Sequence, residues 1–556
     1  MIADISVTEK SFNAKTLLTN VRFSIDDGEK VGIVGRNGVG KSTLFGILAG
    51  TDTDFSGEII YRRGTVVVAT RQEHHGTETQ TVLQYVLHGL PEYARLSHIL
   101  ETYPVTMGED MKKISEYTEA LQRFDDLGYY QIEEQITREL DNFQLPGVAH
   151  SPFMSLSGGQ KRLVEVVKIM HSNAHLALVD EPTNHMDYVA KAQFIDWLKT
   201  AREAVLVITH DRDVLHEVDR IIEIKDGGNI SYPGNYDAYL KQNATQTSSQ
   251  MNDFEQIERR KVNLKAKIID YQRLKEKSRN PGTIQKFKRL EMKSREELAE
   301  LEKIEKPTFW IDKNSVEELN YKATARYEKF KSKNIRMALK SEASRSKHVL
   351  IQAKGLSLGY DKPLFKAINI DLREGEALEL RGRNGAGKTT LIKALLGGIA
   401  GEESVTTSKI HRFSGEISLD SQARIGVYEQ EVGTTYFELP LFDAIERLYL
   451  DKGLSVGREK VMQLMSDYLF DPIGDAKTPI SRLSGGQKAR FQLISMLAND
   501  PQLLILDEPT NHLDLPSIEE LEEALKKYSG AILYVSHDGY FREALGGEVV
   551  ELTADK

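Results

Sequence analysis

Three short motifs occur twice in this chain of 556 residues, and they constrain its fold more than any other feature. Each second copy follows the first by the same 327 residues, as Asp180 and Asp507 show. A shared offset across separate motifs indicates a duplicated domain rather than chance. We expect one copy over residues 1–240, a second over 346–556, and a linker at 241–345. The repeated motifs are LSGGQK at Leu156–Lys161 and Leu483–Lys488, DEPTNH at Asp180–His185 and Asp507–His512, and His-Asp at His210 and His537.

Each copy carries a glycine-rich loop of the form GxxxxGK[ST] between a β-rich run and a predicted helix. Such a loop turns its backbone N–H groups toward phosphate, and the following helix N-terminus adds partial positive charge. The lysine reaches the β- and γ-phosphates, and the Ser or Thr hydroxyl binds Mg²⁺. The sequence therefore predicts two ATP sites. Their predicted loop residues are Gly35, Asn37, Gly38, Gly40, Lys41, Ser42 and Thr43, and Gly382, Asn384, Gly385, Gly387, Lys388, Thr389 and Thr390.

A carboxylate pair ends a short apolar run in both copies, Leu176–Val179 and Leu503–Leu506. Continuous apolar runs are typical of buried parallel strands, and open α/β sheets bind ligands at the carboxyl ends of such strands. The first carboxylate of each pair suits a Mg²⁺ site, and the second suits a general base that orients attacking water. These residues are Asp180 and Glu181 in the first copy and Asp507 and Glu508 in the second.

Together these motifs resemble the ATP-binding cassette superfamily, whose signature is LSGGQ. The resemblance implies an α/β fold with two P-loop ATPase cassettes. It also implies that Gln72 and Gln430 are Q-loop residues near the nucleotide and Mg²⁺. His210 and His537 correspond to the switch histidines that contact the γ-phosphate, and we group them with the catalytic residues. Phe12 and Tyr360 occupy the positions where an aromatic ring stacks on adenine.

In this superfamily two cassettes face each other head to tail, and the signature of one closes the phosphate loop of the other. The resemblance therefore assigns Ser484 and Gly486 to the first site, and Ser157 and Gly159 to the second. Each signature would open a helix and offer N–H groups to a γ-phosphate. Both sites then have every expected polar residue, so we predict that both hydrolyse ATP. The expected metal-binding residues are Ser42, Gln72 and Asp180, and Thr389, Gln430 and Asp507.

The linker contains a narrow apolar stripe that is interrupted once. Phe254, Ile257, Leu264 and Ile268 recur at three- and four-residue steps, as in a two-stranded helical seam. Asn280-Pro281-Gly282 breaks the pattern, because proline lacks the N–H and glycine permits left-handed turns. The sequence predicts an antiparallel α-helical coiled-coil hairpin over residues 248–306, with its tip near 279–284.

The predicted tip is strongly basic in an otherwise acidic chain. Residues 273–295 contain nine Lys or Arg and two Glu, whereas the net charge of the whole chain is −10. A solvated helix face is the common explanation of a charge run, but the concentration of charge at one tip favours contact with RNA phosphates. The candidate RNA-contact residues are Lys275, Lys277, Arg279, Lys286, Lys288 and Arg289.

The first copy is longer than the second between its Q-loop and its signature. The additional residues fall at about 88–127, where the sequence is polar and helical in pattern. A tolerated surface insertion and a docking arm both fit this segment.

The absence of cysteine excludes disulfides, thiolate zinc sites and Cys-ligated iron–sulfur clusters. The longest apolar runs have the length of strands, and the N-terminus lacks a signal-peptide pattern, so we expect a cytoplasmic protein with no membrane partner. Two unequal cassettes joined by a charged helical hairpin resemble the ABC-F family of translation factors. The DEPTNHxD form of both D-loops is also typical of that family.

The ABC-F resemblance implies a protein that binds the ribosomal E site while ATP holds its cassettes closed. Its linker would reach toward the P-site tRNA and the peptidyl-transferase centre, and its cassettes would pair within a monomer. Relief of stalled translation and antibiotic resistance by ribosomal protection both remain open. Two other classes are a fused double-cassette ATPase subunit of an importer, which would need a permease, and a DNA-associated ATPase, which would carry long coiled coils inside one cassette.

Overall fold

The computed structural model describes residues 1–12, 15–70, 79–143, 145–156, 158–184, 186–304, 327, 334–337, 348–397, 410–429 and 433–553. The chain forms two compact units. One unit joins Met1–Tyr236 to Asn334–Lys556 and contains both repeated domains. The other is Asp237–Lys333.

The first cassette combines two sheets with a helical layer. Its strands are β1 (Ala3–Phe12), β2 (Lys15–Ile25), β3 (Lys30–Gly35), β4 (Ser56–Tyr61), β5 (Val67–Ala69), β6 (Leu176–Asp180), β7 (Ala204–Ile208), β8 (Arg220–Lys225) and β9 (Gly228–Pro233). Its helices are α1 (Lys41–Leu48), α2 (Val82–His88), α3 (Tyr93–Thr106), α4 (Met111–Asp126), α5 (Ile132–Asn142), α6 (Gly158–Met170), α7 (Tyr188–Thr200) and α8 (Arg212–Leu215).

The six-stranded sheet of this cassette has the order β5-β6-β7-β3-β8-β9. All neighbouring pairs are parallel except β8 and β9. The central strands β6 and β7 are apolar except for Asp180 at the end of β6, as expected of strands that are covered on both faces. Their parallel arrangement brings the phosphate loop after β3 and the carboxylates after β6 to the same edge of the sheet.

The hairpin unit consists of α9 (Tyr236–Lys277) and α10 (Pro281–Glu302). Cross-helix contacts show that the helices are antiparallel: Arg260 pairs with Glu297 at 2.7 Å, and the Tyr271 and Phe287 rings stack at 6.2 Å. The first helix begins well before residue 248, where the sequence pattern placed the start of the hairpin. Pro281 and Gly282 lie in the first turn of α10 rather than in the loop. Asn280 caps this helix, since its Oδ1 accepts from the Gly282 N–H at 2.9 Å, and proline is suited to a first turn that needs no donor there.

The second cassette repeats this arrangement. Its larger sheet has the order β14-β15-β16-β12-β17, and all of its pairs are parallel. Its strands are β10 (Val349–Gly359), β11 (Ile368–Arg373), β12 (Ala377–Arg381), β13 (His411–Leu419), β14 (Ile425–Tyr428), β15 (Leu503–Asp507), β16 (Ala531–Val535) and β17 (Glu548–Glu551). Its helices are α11 (Lys388–Gly397), α12 (Leu441–Asp451), α13 (Arg458–Asp467), α14 (Gly485–Leu497), α15 (Leu515–Lys526) and α16 (Gly539–Leu545).

The additional segment of the first cassette folds as the helical pair α3 and α4. The Tyr103 hydroxyl donates to Glu116 at 2.9 Å across the pair, and Arg123 pairs with Glu92 at its base at 2.8 Å. The segment at residues 88–127 therefore contains a pair of helices that contact each other. Among all the helices described, none is long and apolar enough to span a bilayer.

Candidate functional site

Both phosphate loops fold tightly around their lysine. Lys41 Nζ donates to the carbonyl oxygens of Gly35 at 2.6 Å and Arg36 at 3.1 Å, and Lys388 makes the equivalent bonds to Gly382 and Arg383 at 2.7 and 3.1 Å. Burial lowers the pKa of both lysines, against the attraction of nearby carboxylates. Gly40 and Gly387 have φ of 101° and 96°, a region that side chains rarely adopt. A loop of this shape directs its amides and a cation toward bound phosphate.

The carboxylates lie where the sequence placed them, at the ends of β6 and β15. Thr389 Oγ1 donates to Asp507 Oδ2 at 2.9 Å, which brings together two of the residues predicted to bind Mg²⁺. Mg²⁺ is commonly held by one or two protein oxygens together with substrate phosphates and waters. This donor set therefore fits Mg²⁺, and Ser42 and Asp180 supply the same residue types in the first cassette.

The two glutamates have an unusual backbone. Glu181 and Glu508 adopt positive φ of 45° and 52°, although neither is glycine. The N–H of each donates to the neighbouring strand, to Ile208 O at 2.8 Å and to Val535 O at 3.0 Å. Left-handed backbone costs a non-glycine residue about 1–2 kcal/mol and is concentrated at functional sites. The identical conformation in both copies fixes the direction of each carboxylate.

Each glutamate faces the histidine that the sequence paired with it. His210 Nε2 lies 3.5 Å from Glu181 Oε1, and His537 Nε2 lies 3.2 Å from Glu508 Oε1. Burial raises the pKa of Glu181 to about 8, with a further contribution from Asp180, and burial raises the pKa of Glu508 to about 7. Burial, assisted by the phosphate-loop lysine, lowers the pKa of both histidines to about 3. The histidines are therefore neutral, and the glutamates have the basicity that suits a general base near neutral pH.

The signature of the second cassette meets the phosphate loop of the first. A cavity of about 530 Å³ is lined by Gly38, Lys41, Ser42 and Thr43 and by Ser484 and Gly486. The Asn37 amide Nδ2 donates to His512 O at 2.8 Å across this junction. A Cβ added to Gly486 would lie 2.2 Å from Asn37 Nδ2, so a side chain at this position would require Asn37 to move. The first site is thus assembled from both cassettes.

The D-loop aspartates connect the cassettes in both directions. Asp514 Oδ2 accepts from the Asn37 N–H at 3.1 Å, and Asp187 Oδ2 accepts from the Asn384 N–H at 3.0 Å. Both aspartates are buried, and each also caps the helix that follows it. The head-to-tail pairing is therefore present at both phosphate loops.

Some predicted residues fall outside this geometry. Gln72, Gln430 and Ser157 lie outside the described residues, and Gly159 lies in the first turn of α6. Phe12 ends β1. Tyr360 is 38% exposed, and its hydroxyl lies 3.4 Å from Thr390 Oγ1, beside the second phosphate loop. The position of Tyr360 leaves its ring available to a base.

Several residues that line the first site were not predicted from the sequence. Asn184 and His512 belong to the repeated DEPTNH motifs, so the repeat itself carried a signal. Arg162 lines the same cavity, and its Nη1 is buried without a hydrogen-bond partner among the described residues. Its counterpart in the second copy is Ala489. A departure from the repeat was the only available clue to Arg162.

Comparison with known proteins identifies the family of the chain. The ABC transporter family matches residues 18–184 and 365–511, together more than half of the chain. YheS of Escherichia coli (strain K12), a probable ATP-binding protein, is 30% identical over 94% of this chain and 74% of its own length. ABC transporter F family member 5 of Arabidopsis thaliana is 28% identical over 98% of this chain and 74% of its own length.

A solved structure titled as a model of ribosome-bound archaeal Pelota and ABCE1 shares the fold. Its TM-score is 0.55 at 19% sequence identity, over 99% of this chain and 76% of that chain. A duplicated phosphate loop that is closed by the signature of the opposite copy defines a tandem ATP-binding cassette ATPase. The chain belongs to the ABC transporter family of ATP-binding proteins and, within it, to the ABC-F family.

Proposed function

We propose that this chain is a cytoplasmic ATPase that binds the ribosomal E site and acts through its linker on the P-site tRNA and the peptidyl-transferase centre. The observation that carries the proposal is the pairing of two head-to-tail cassettes in a chain that also carries a basic helical hairpin. ATP binding would hold the cassettes closed, and hydrolysis would release the protein. The resemblance of the relatives and the ribosome-bound structural neighbour support this function.

The reaction we propose is hydrolysis of ATP to ADP and phosphate at both sites. Glu181 and Glu508 orient and deprotonate the attacking water, and His210 and His537 contact the γ-phosphate. Mg²⁺ supplies charge neutralisation at the β- and γ-phosphates when bound. Ser42 with Asp180, and Thr389 with Asp507, would hold the metal. Electrostatic stabilisation by the loop lysines and the signature amides completes the site.

The hairpin tip supports contact with RNA through five of the six candidate residues. Lys277, Arg279, Lys286, Lys288 and Arg289 are all exposed. Lys275 differs, because it pairs with Glu291 at 2.9 Å and is only 33% exposed. We therefore assign Lys275 to packing of the hairpin, and we propose phosphate contact for the other five. The helical pair α3–α4 is proposed as a second docking element on the ribosome.

Sedimentation tests the proposal. The Glu181→Gln/Glu508→Gln double variant should co-sediment with ribosomes in ATP and not in ADP. A Lys41→Ala/Lys388→Ala variant, which should not bind ATP, is the matched control. Sedimentation with membranes instead of ribosomes would support the importer subunit and overturn the ribosomal function. Drug susceptibility of a host with and without the gene would separate antibiotic resistance from relief of stalled translation.

A further inference from the structure

Arg212 crosses from the first cassette to the second two residues after the switch histidine. Its Nη1 lies 3.1 Å from Glu522 Oε1 on α15, and its guanidinium carbon lies 5.0 Å from the centre of the Tyr540 ring on α16. Only 6% of Arg212 and 13% of the Glu522 side chain are exposed. A buried arginine held by a carboxylate and an aromatic ring of the other cassette has little freedom to move independently.

The ion pair Arg212–Glu522 has no counterpart among the aligned residues of the second copy. The repeat aligns Arg212 with Gly539 and Glu522 with Ile195. Neither Gly539 nor Ile195 can form an ion pair. Among the residues that the structure describes, the ion pair Arg212–Glu522 joins the switch segment of the first site to the opposite cassette. The aligned residues of the second copy cannot form this ion pair, so the two sites differ at this position although their reacting residues match.

The turn that joins Arg212 to His210 is held rigidly. The Asp211 N–H donates to Thr209 Oγ1 at 3.0 Å, and Asp211 Oδ1 accepts from the Asp213 N–H at 3.0 Å. Lys191 Nζ pairs with Asp211 at 2.8 Å. A displacement of Arg212 would therefore carry His210 with it instead of being absorbed by the loop.

The same cluster reaches the first residue of the linker helix. His216 Nε2 lies 2.5 Å from the Tyr540 hydroxyl, and their rings stack with centres 6.1 Å apart. The His216 and Tyr236 rings form an edge-to-face contact with their centres 5.5 Å apart. Tyr236 is buried and begins α9, the helix that continues into the hairpin.

We propose that Arg212 is a positioning residue through which the second cassette aligns His210 at the first site, and that His216 and Tyr540 pass the same movement to Tyr236 at the root of the linker. Site one is then the site whose hydrolysis responds to cassette closure and directs the hairpin. This inference rests on the proposed function and describes how the ATPase that drives that function would be regulated. Its tests need no ribosome, so its failure is distinguishable from failure of ribosome binding.

Site-resolved turnover is the first test. The Glu508→Gln background leaves only site one active, and the Glu181→Gln background leaves only site two active. We expect Arg212→Gln/Glu522→Gln to lower kcat about tenfold in the first background, with KM for ATP changed less than twofold, and to leave site two within twofold. Arg212→Lys, which keeps the ion pair, should restore part of the loss. The exposed Lys199, which pairs with the half-buried Glu217, supplies the control Lys199→Gln, which should change neither site. An equal loss at both sites, or no loss, would overturn the proposal.

The absence of cysteine makes the linker response directly measurable. Cysteines introduced at the exposed positions Gln285 and Asp125 accept spin labels, and the distance between them is measured in ADP and ATP. We expect an ATP-dependent change in a Glu181→Gln/Glu508→Gln protein. Adding Arg212→Gln/Glu522→Gln, or Tyr540→Phe, should remove at least half of it. Persistence of the full change in both variants would show that the hairpin responds by another route.

Discussion

The backbone N–H of Asn37 donates to Asp514 Oδ2 at 3.1 Å, although 477 residues separate the two in the chain. The phosphate loop of the first site is therefore shaped in part by the D-loop of the other cassette. Asp187 and Asn384 form the equivalent bond at 3.0 Å. We therefore expect these two bonds to link occupation of either site to the contact between the cassettes.

Removal of this link should uncouple the cassettes. Asp514→Ala deletes a buried, charge-assisted hydrogen bond, and such bonds contribute about 1.5–3 kcal/mol. We expect ATP turnover to fall at least tenfold in steady-state assays. Ser517→Ala is the matched control because it removes only the side-chain partner of Asp514 Oδ1. The control should lower stability by about 1 kcal/mol and keep turnover within twofold. A comparable loss of turnover in both variants would assign Asp514 to helix capping alone.

The signature glycines should differ in their tolerance of a methyl group. Gly486→Ala places a Cβ 2.2 Å from Asn37 Nδ2, whereas a Cβ on Gly485 would meet nothing closer than 3.4 Å. We expect Gly486→Ala to abolish turnover at site one, measured in the Glu508→Gln background. Gly485→Ala should retain most of it. Equal turnover at site one in the two variants would show that the close approach at Gly486 does not matter for hydrolysis.

Arg162 should make the first site bind ATP differently from the second. Arg162 lines the cavity at the first phosphate loop, whereas the second copy has Ala489. We expect Arg162→Ala to raise KM for ATP at site one about tenfold, because a charge-assisted hydrogen bond contributes about 1.5–3 kcal/mol. Lys161→Ala removes a neighbouring charge from the same helix and should have little effect. An unchanged KM in Arg162→Ala would place this residue outside nucleotide binding.

Glu508 should destabilise the folded protein at neutral and higher pH. Burial raises the pKa of Glu508 to about 7, above its ordinary value of 4.5, so the folded state holds the proton more tightly than the unfolded state. The loss of free energy of unfolding caused by Glu508 is absent below pH 4.5, grows between pH 4.5 and 7, and is constant above pH 7. Glu508→Gln should therefore raise the free energy of unfolding at pH 8 by about 3 kcal/mol, with a matching rise in melting temperature, and should raise both much less at pH 5.

Thermal unfolding measured at both pH values checks this expectation. Glu548→Gln is the control because Glu548 is exposed at the start of β17. Equal shifts at pH 5 and pH 8 would mean that ionisation of Glu508 is not the cause.

The hairpin tip should bind RNA electrostatically. Neutralising Lys277, Arg279, Lys286, Lys288 and Arg289 should weaken ribosome association and reduce the steepness of its salt dependence, because each phosphate contact releases counterions. Lys275→Ala should act differently. Hydrogen bonds from Lys275 and Arg295 lower the pKa of Glu291 to about 2. Because Lys275→Ala removes one of these partners, it should loosen the hairpin and speed the hydrogen exchange of its backbone amides. An unchanged salt slope in the five-residue variant would contradict RNA contact at the tip.

Much of the site was predictable because its chemistry is local. The phosphate loops and the strand-end carboxylates each lie in a short repeated segment, so their spacing and context predicted their roles. The role of His210 and His537 came from the resemblance to the ATP-binding cassette superfamily. The turn of the hairpin was predicted within a few residues, but Pro281 and Gly282 belong to α10 because Asn280 supplies its cap. The sequence could not separate Lys275 from its basic neighbours, since that distinction depends on Glu291 of the facing helix.

The sequence by itself determined the duplication, the identity of both ATP sites and the existence of a basic hairpin. These follow from short-range patterns that repeat at a constant offset. The tertiary structure decided how the sites are coupled. Asn37 with Asp514, and Arg212 with Glu522, meet across hundreds of residues only because the two cassettes pack head to tail. Arg212 and Glu522 are not repeated in the other copy, so the duplication gave no sign of them. Burial between two domains strengthens these charges and hydrogen bonds.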